Sequence, residues 1–248
     1  MRTAPGSASD IACTNHAQDV PVIKVDRLSF GEISEQVLQY MLRPSIEDCL
    51  TLWFGKSEQT DSEIRLRFGA GVALACEGCC DHWAGDLGNP RALVALVIML
   101  DQFPRNVYRG TAQMYAGDAR CRALVKRVLR AGVGELLRPI ERVFLCLALT
   151  HSEVLEDQHR CIQEWGRVEA DLASDDPLRA FHDIFQRHLD VIRRFGRFPH
   201  RNEVLLRPST AAELDFLGIS AFRFDLPLIR QPDGALAFAG TCSHWAGC

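Results

Sequence analysis

Residues 100–106 read LDQFPRN, and residues 195–202 read FGRFPHRN. Both stretches follow an apolar run with helical spacing, place Phe before Pro, and then supply Arg and Asn. Proline lacks the backbone N–H that continues a helix, and it favours an extended residue before it. The two stretches therefore predict two helix ends, each followed by a polar loop and by a threonine, Thr111 or Thr210, that caps the next helix. The repeated motif is compatible with a weak internal duplication.

Apolar residues recur at helical spacing from about residue 32 to residue 218, and no strand pattern occurs before residue 220. The predicted helices are Glu32–Leu42, Ser45–Gly55, Asp61 to about Trp83, Arg91–Phe103, Thr111 to about Gly132, Glu135–Leu149 with Pro139 marking its first turn, His151 to about Leu172, Asp176–Arg194 and Thr210–Gly218. The sequence therefore predicts an all-α fold, built as an antiparallel helical array with short connections.

One predicted helix differs from the others because its apolar residues cover every face. Asn89-Pro90 supplies a cap and a proline at the first helical position, and the run from Arg91 to Phe103 is apolar all round. Such a helix is typical of a buried position. We therefore expect it to lie at the centre of the array.

Composition limits the classes of function. The chain has 248 residues, 47% of them hydrophobic, and a formal net charge of -4. That charge, with no Lys/Arg run interleaved with aromatic residues, argues against nucleic-acid binding. The longest apolar run, Ala92–Leu100, is far shorter than a membrane span, and the N-terminus lacks the apolar segment of a signal peptide. We therefore expect a cytoplasmic protein without a membrane partner, in which most of the ten cysteines are packed thiols.

Three regions are predicted. Residues 1–28 lack a sustained period and suggest a flexible arm, residues 29–218 form the helical domain, and residues 219–248 form an appendage. In the appendage, Phe222–Leu226 alternates like a strand, and residues 231–234, QPDG, are typical of a turn. The chain ends in a Cys-rich tail with Cys242, His244, Trp245 and Cys248.

A family resemblance rests on motifs spread from Trp53 to Leu217. They are Trp53-Phe54-Gly55, Phe68, Trp83, residues 100–106 with Arg109-Gly110, His151-Ser152-Glu153 with Gln158, His188, residues 195–202, Arg207 and Ser209-Thr210. Together they resemble domain-of-unknown-function family 924, an uncharacterised, largely bacterial family. The resemblance implies an all-α fold similar to tetratricopeptide arrays, and it implies no activity.

The chain departs from that family pattern in three places. Thr150 stands where the family usually has an acidic residue, and Leu206 stands where a glycine usually precedes the arginine. The tail after Gly218 is not part of the pattern. The first two departures affect local geometry, and the third suggests a role particular to this protein.

Polar residues suited to ligand binding collect around the two motifs. Arginine offers a planar fork of donors for carboxylate or phosphate, and histidine transfers protons near neutral pH. The predicted catalytic residues are His151, Glu153 and His200, and the predicted ligand-binding residues are Asp101, Gln102, Arg105, Asn106, Arg109, Arg197, Arg201 and Asn202. The sequence leaves open whether these groups bind an anionic small molecule or peptide, or whether they only cap helices and pair within the fold.

Other arrangements remain open as well. A metal site is an alternative, but the Glu-x-x-His pairs typical of helical bundles are incomplete. Its candidate ligands are His151, Glu153, Asp157, His182, Asp183, His188 and His200. The cluster Cys76, Cys79 and Cys80 lacks a second cysteine pair for zinc and sits late in its helix, so packing is favoured over redox work. The tail is compatible with four alternatives: a metal site, a small ring closed by a disulfide bond, a peptide substrate that the helical domain modifies, and a simple extension of the chain.

Two functions follow from this inventory. The first is a protein that binds an anionic small molecule or peptide and acts on it as an enzyme, with His151 or His200 as acid or base and Glu153 as its orienter. The second is a non-catalytic helical scaffold that holds a partner peptide. The cofactor, the reaction and the oligomeric state stay open.

Overall fold

The computed structural model describes residues 30–218 and the backbone of two short strands, residues 228–230 and 236–238. Within this described part, the helices are α1 Phe30–Met41, α2 Ile46–Phe54, α3 Glu58–Glu77, α4 Pro90–Val107, α5 Asp118–Arg130, α6 Pro139–Thr150, α7 Leu155–Ala170, α8 Phe181–Phe195 and α9 Ala211–Gly218. Short 3₁₀ turns lie between them, at Trp83–Gly85, Ala112–Tyr115, Val133–Leu136, Pro177–Ala180 and Pro199–Arg201. The predicted all-α fold is confirmed.

Helix α4 lies at the centre of the array, as its all-round apolar sequence predicted. Asn89 accepts a hydrogen bond from the backbone N–H of Ala92 at 3.2 Å, and Pro90 is the first helical residue. Every residue from Ala92 to Asp101 is buried. Helix α4 packs against α1, α3, α5 and α6, so residues near its C-terminal end are held by several neighbours at once.

Successive helices pair in an antiparallel manner. Asp61 at the start of α3 contacts Arg109 just after α4. Cys161 on α7 donates to the backbone oxygen of Cys146 on α6, and Trp165 on α7 packs against Phe185 on α8. These contacts confirm the array of antiparallel pairs that the short connections predicted.

The first Phe-Pro motif does not end its helix, so that prediction is wrong. Helix α4 continues through Pro104 to Val107, and Arg105 and Asn106 belong to its last turns. Pro104 has no N–H to give to the carbonyl of Leu100, one turn earlier. The backbone of Gly117 passes close to that carbonyl, because a Cβ added at Gly117 would lie 2.1 Å from the oxygen of Leu100. Gly117 therefore packs against the carbonyl group that lacks its helical hydrogen bond.

The second Phe-Pro motif takes a different structure. Helix α8 ends at Phe195, the next residue, Gly196, has a left-handed φ of 68°, and Phe198 then precedes a 3₁₀ turn from Pro199 to Arg201. A glycine at this position is a common helix stop because it lacks a Cβ. The two motifs therefore resemble each other in sequence but differ in backbone structure.

Capping residues in the sequence correctly predicted several other helix ends. Ser45 accepts from the N–H of Asp48 and begins α2, and Thr210 and Glu213 form the predicted capping box of α9. Several starts were misplaced, because α3 begins at Glu58, α7 at Leu155 and α8 at Phe181. The prediction that Thr111 caps the next helix is wrong as well, because Thr111 precedes a 3₁₀ turn without a side-chain cap and α5 begins only at Asp118. His151 instead follows the last residue of α6, and the Gln158 side chain holds this connection by donating to the backbone oxygens of Thr150 and Ser152 at 2.6 Å each.

The part of the appendage that is described is extended. Strands β1, Leu228–Arg230, and β2, Leu236–Phe238, pair antiparallel, with Leu228 opposite Phe238, on either side of the predicted QPDG turn. The predicted strand Phe222–Leu226, the tail Cys242–Cys248 and the arm at residues 1–28 lie outside the described residues. None of the described helices has the length and apolar character that crossing a membrane requires.

Candidate functional site

An aspartate–histidine pair lies where α4 meets the end of α6. Asp101 is 1% exposed, and its two carboxylate oxygens lie 2.8 and 2.9 Å from Nδ1 of His151. Gln102 donates a further hydrogen bond to Asp101 at 2.5 Å. The pair occupies Nδ1 of His151, and within the described residues Nε2 has no hydrogen-bond partner. The His151 side chain is 17% exposed, so solvent still reaches it.

Two arginines from different elements flank this pair. Arg105 on α4 lies 3.1 Å from a carboxylate oxygen of Asp101 and 3.1 Å from one of Asp118, the first residue of α5. Arg201, in the 3₁₀ turn of the second motif, donates to the backbone oxygen of His151 at 2.8 Å and lies 3.6 Å from Asp118. Both guanidinium groups thus converge on Asp118.

Arg201 is the more buried of the two arginines. It is 6% exposed and lies between two aromatic rings, 4.6 Å from the ring centre of Tyr115 and 4.5 Å from that of Phe198. Burial, followed by the charge of Arg105, lowers the pKa of Arg201. Its Nε is buried and makes no hydrogen bond with the described residues. Buried polar atoms rarely lack a partner in native folds, so this N–H marks a site whose polar groups are not satisfied by the protein alone.

Three histidines surround the site. His188 on α8 is 7% exposed, its Nδ1 lies 2.8 Å from the backbone oxygen of Ile184, and its ring centre is 6.0 Å from that of His151. His200 is exposed and belongs to the same 3₁₀ turn as Arg201. Loss of hydration lowers the pKa of His151 and of His188, and the charge of Arg105 adds to this for His151. These two rings are therefore neutral near pH 7.

Two of the predicted ligand-binding residues lie outside this cluster and hold the fold. Asn106 donates to Asp61 on α3 at 2.8 Å, and Arg109 donates to the same carboxylate through two N–H groups. Asp61 is 8% exposed. These contacts match the structural interpretation of the first motif, in which its polar residues pair within the fold.

Glu153 and Asn202 form a second structural network. Glu153 accepts from Arg207 at 2.7 and 2.9 Å and from the backbone N–H of Phe198 at 2.8 Å. Asn202 accepts from Arg207 at 3.0 Å. For His151, the expected role of Glu153 as the orienting group is wrong, because Asp101 is the carboxylate that contacts this ring.

Arg197 also serves the fold. Its Nε donates to Glu213 at 2.6 Å and its Nη2 donates to the same carboxylate at 2.8 Å, which connects the second motif to α9. The residues of the second motif therefore have two different roles. Arg201 and His200 belong to the candidate site, whereas Arg197 and Asn202 fasten the segment that carries them.

The groups considered for a metal ion have other partners. Asp157 lies 2.5 Å from Lys126 Nζ and accepts from Ser152 at 2.7 Å, and His182 contacts Glu169 at 2.9 Å. Across residues 30–218, no group of three or more His, Cys, Asp or Glu is arranged to hold a metal ion.

The three residues of the cysteine cluster differ in burial, since Cys80 is buried, Cys76 is half-buried and Cys79 is exposed. Helix α3 ends at Glu77, and Gly78, with a φ of 91°, turns the chain before Cys79 and Cys80. Burial raises the pKa of Cys76 and of Cys80 to about 11. These two thiols are therefore protonated at neutral pH, which disfavours nucleophilic or redox chemistry.

Sequence reasoning missed two members of the site. Asp118 begins α5, and Tyr115 belongs to the 3₁₀ turn before it. An acidic residue in the first turn of a helix is ordinary, so the sequence carried no signal that distinguished Asp118. Tyr115 stands in no motif and joins the site through its ring, whose centre lies 4.6 Å from the guanidinium of Arg201 and 5.8 Å from that of Arg105.

Comparison with known proteins gives a family and a similar structure. The model of a family described as "Bacterial protein of unknown function (DUF924)" matches residues 37–220. A solved structure of a protein of unknown function from Agrobacterium tumefaciens is similar, with a TM-score of 0.65 and 29% identity, over 77% of this chain and 99% of that chain. A search of curated proteins finds no match.

Proposed function

This chain belongs to the DUF924 family of bacterial proteins, and we propose that it binds a small anionic molecule beside His151, through a carboxylate or phosphate group held by Arg105 and Arg201. The observation that carries this proposal is the convergence of both arginines on one partly exposed carboxylate. Arg105 lies 3.1 Å from Asp118, and Arg201 lies 3.6 Å from it.

The chemistry of the two arginines supports an anion. A guanidinium group presents its N–H donors in a planar fork that matches carboxylate and phosphate oxygens. Asp118 occupies that position in the free protein, and its side chain is 18% exposed. Burial raises the pKa of Asp118, whereas the charges of Arg105 and Arg201 lower it. A ligand anion that replaces Asp118 on the arginines gains donors that are already in place.

Accessibility favours a small ligand over an extended segment. The side chains of Arg105 and His151 are each 17% exposed, and Asp118 is 18% exposed. Such limited surface suits a single carboxylate or phosphate group, as carried by a metabolite or a peptide end. An extended peptide held along the array, the scaffold hypothesis, needs a longer exposed surface.

The test measures the binding of inorganic phosphate and of succinate by isothermal titration calorimetry at fixed ionic strength. We expect saturable binding to the wild-type protein. Replacing a charged hydrogen-bond donor typically costs about 1.5–3 kcal/mol, so Arg105→Met should weaken binding by roughly ten- to a hundredfold.

Arg193→Met is the matched control. It also removes one positive charge, but Arg193 is 51% exposed on α8 and pairs only with Asp190 and His159 among the described residues. Unchanged affinity in this variant supports a specific site at Arg105. Equal losses in both variants, or no saturable binding to the wild type, would contradict the proposal.

A further inference from the structure

The anion site proposed above leaves one group without a role, Nε2 of His151, which has no hydrogen-bond partner among the described residues. We infer that His151 is a catalytic general base, positioned by Asp101, that accepts a proton during a reaction of the bound anion. This inference rests on the proposed function, because the anion at Arg105 and Arg201 brings the reacting group to Nε2.

The position of the His151 ring is fixed from two directions. Its Nδ1 lies 2.8 and 2.9 Å from the two oxygens of Asp101. Its backbone N–H donates to the oxygen of Leu147 at 3.0 Å, and its backbone oxygen accepts from Arg201 at 2.8 Å. A carboxylate on Nδ1 selects the tautomer whose proton is on Nδ1 and whose lone pair is on Nε2. The free nitrogen is therefore the basic one.

Asp101 is itself held in its ionised form. Arg105 lies 3.1 Å from its Oδ1, and Gln102 donates to its Oδ2 at 2.5 Å. Although burial opposes ionisation, these neighbours together with His151 hold the pKa of Asp101 well below its usual range. An ionised Asp101 stabilises the imidazolium that forms when Nε2 takes a proton.

The charges around His151 keep the resting ring neutral. Burial and the charge of Arg105 lower its pKa, whereas Asp101 raises it. The titratable and charged groups that face the ring are Asp101 and Arg105 from α4, Asp118 from α5, His188 from α8, and His200 and Arg201 from the 3₁₀ turn. A neutral imidazole at neutral pH is the form that a general base requires.

The reaction step is a proton transfer that needs no oxidant or reductant. Nε2 takes a proton from a water molecule whose oxygen attacks the carbon or phosphorus atom of a hydrolysable bond in the bound anion. The water oxygen forms the new bond with its lone pair and keeps the electron pair of its broken O–H bond. The bond to the leaving oxygen then breaks with its electron pair on that oxygen, which takes the proton from the imidazolium and departs as a hydroxyl compound. Ser152, a nearby hydroxyl, is 4% exposed and donates to Asp157. The substrate class is therefore a small carboxylate or phosphate compound that carries a hydrolysable bond.

Bromoacetate tests the inference without knowledge of the substrate. Its carboxylate mimics the anionic ligand, Nε2 attacks its methylene carbon, and bromide leaves, so that a carboxymethyl group is attached to Nε2. Peptide mass spectrometry locates the product and separates it from adducts of the ten cysteines. His159 and His182, both exposed, are the internal reference histidines.

We expect His151 to react faster than the reference histidines by at least about tenfold, with saturation by bromoacetate and protection by phosphate, because binding places the reacting atoms together. Neutral bromoacetamide should show much less preference for His151. Asp101→Asn should slow alkylation of His151. Gln102→Leu is a milder variant that keeps the carboxylate of Asp101 and should slow the reaction less.

The outcomes separate this inference from the proposed function. If phosphate binds saturably but His151 reacts with bromoacetate no faster than His159, the inference that His151 is a general base is wrong. The proposed anion site is not affected by that result. Equal preference of bromoacetate and bromoacetamide for His151 supports the base and contradicts the anion site. The comparison of His151 with His159 and His182 uses the wild-type protein alone, so it tests the inference even if Asp101→Asn does not fold.

Discussion

Arg109 contacts Asp61 through two N–H groups, with Nε 2.5 Å from Oδ2 and Nη2 2.8 Å from Oδ1. This contact joins the start of α3 to the end of α4, and Asn106 adds a third donor at 2.8 Å. The carboxylate is 8% exposed and so depends on these partners. Part of the first motif therefore holds two helices together, while Asp101 and Arg105, one turn earlier, face the candidate site.

Arg109→Met should destabilise the protein and leave anion binding intact. Removing the arginine leaves a buried carboxylate with fewer donors, which costs about 1–3 kcal/mol. Urea unfolding measures the loss, and phosphate titration measures the affinity. Arg193→Met is again the control, since its exposed ion pair contributes little to stability. If Arg109→Met binds phosphate more weakly and is as stable as the wild type, Arg109 is a ligand-binding residue and this prediction is wrong.

Leu206→Gly should stabilise the protein. Leu206 has a φ of 53°, and among the described residues it is the one non-glycine residue with positive φ. A side chain in this region costs about 1–2 kcal/mol, partly offset by the greater freedom of glycine in the unfolded chain, so we expect a gain of up to about 1 kcal/mol. Leu206 is 92% exposed, so little packing is lost.

Leu206→Ala is the matched control for that gain. It removes the same exposed side chain but keeps a Cβ in the left-handed conformation, so its melting temperature should stay near that of the wild type. Equal stabilisation by alanine and by glycine would place the effect in the leucine side chain and not in the backbone.

Gly117→Ala and Gly166→Ala should have opposite effects on stability. A Cβ at Gly117 would lie 2.1 Å from the backbone oxygen of Leu100, so α4 and α5 must separate. Overpacking of this kind costs about 1–3 kcal/mol or more. Gly166 lies inside α7 with nothing within 4 Å of an added Cβ, so alanine there should add about 0.5–1 kcal/mol. Thermal unfolding of the two variants measures both effects.

The pH dependence of stability should decrease in His188→Gln. Burial, followed by the charge of His151, lowers the pKa of His188 well below its usual value. The unfolded chain then binds a proton more readily than the folded one. The contribution of His188 to the free energy of unfolding is therefore fully present above a pH of about 6.5. It falls as the pH drops below that value, by at most about 1.4 kcal/mol per pH unit for one such histidine.

Urea unfolding at pH 7.5, 6.5 and 5.5 measures that slope. Glutamine keeps an N–H that can donate to the oxygen of Ile184 but does not titrate, so the variant should lose less stability on acidification than the wild type. Parallel curves for the two proteins would show that His188 does not contribute. The Cε1–H resonance of His188, followed by NMR over the same range, should keep its neutral position.

The sequence predicted those features that depend on neighbouring residues. Ser45 and Gly55 bound α2 as expected, because a side-chain cap and a helix stop act within one turn. The wrong predictions arose where tertiary contacts override local signals. Pro104 is accepted inside α4 because that helix is buried among its neighbours, and the start of α7 is displaced because Gln158 holds the preceding connection.

For the candidate site, the sequence predicted a set of polar residues but not which of them lie together. Asp101 and His151 are separated by 50 positions, as are His151 and Arg201, so their contacts depend on the packing of the whole array. Nothing in the residue types distinguished Arg105 and Arg201, which converge on Asp118, from Arg109 and Arg197, which pair with Asp61 and Glu213. Only the fold separates the two pairs.

The burial of α4 links any ligand at Arg105 to the stability of the entire domain. A helix enclosed by four others exchanges its amide hydrogens with solvent only when the domain opens extensively. A ligand at a hundred times its dissociation constant raises the free energy of that opening by about 2.7 kcal/mol. Amides on α1, which packs against α4 and carries no part of the site, should therefore exchange more slowly when the ligand is bound.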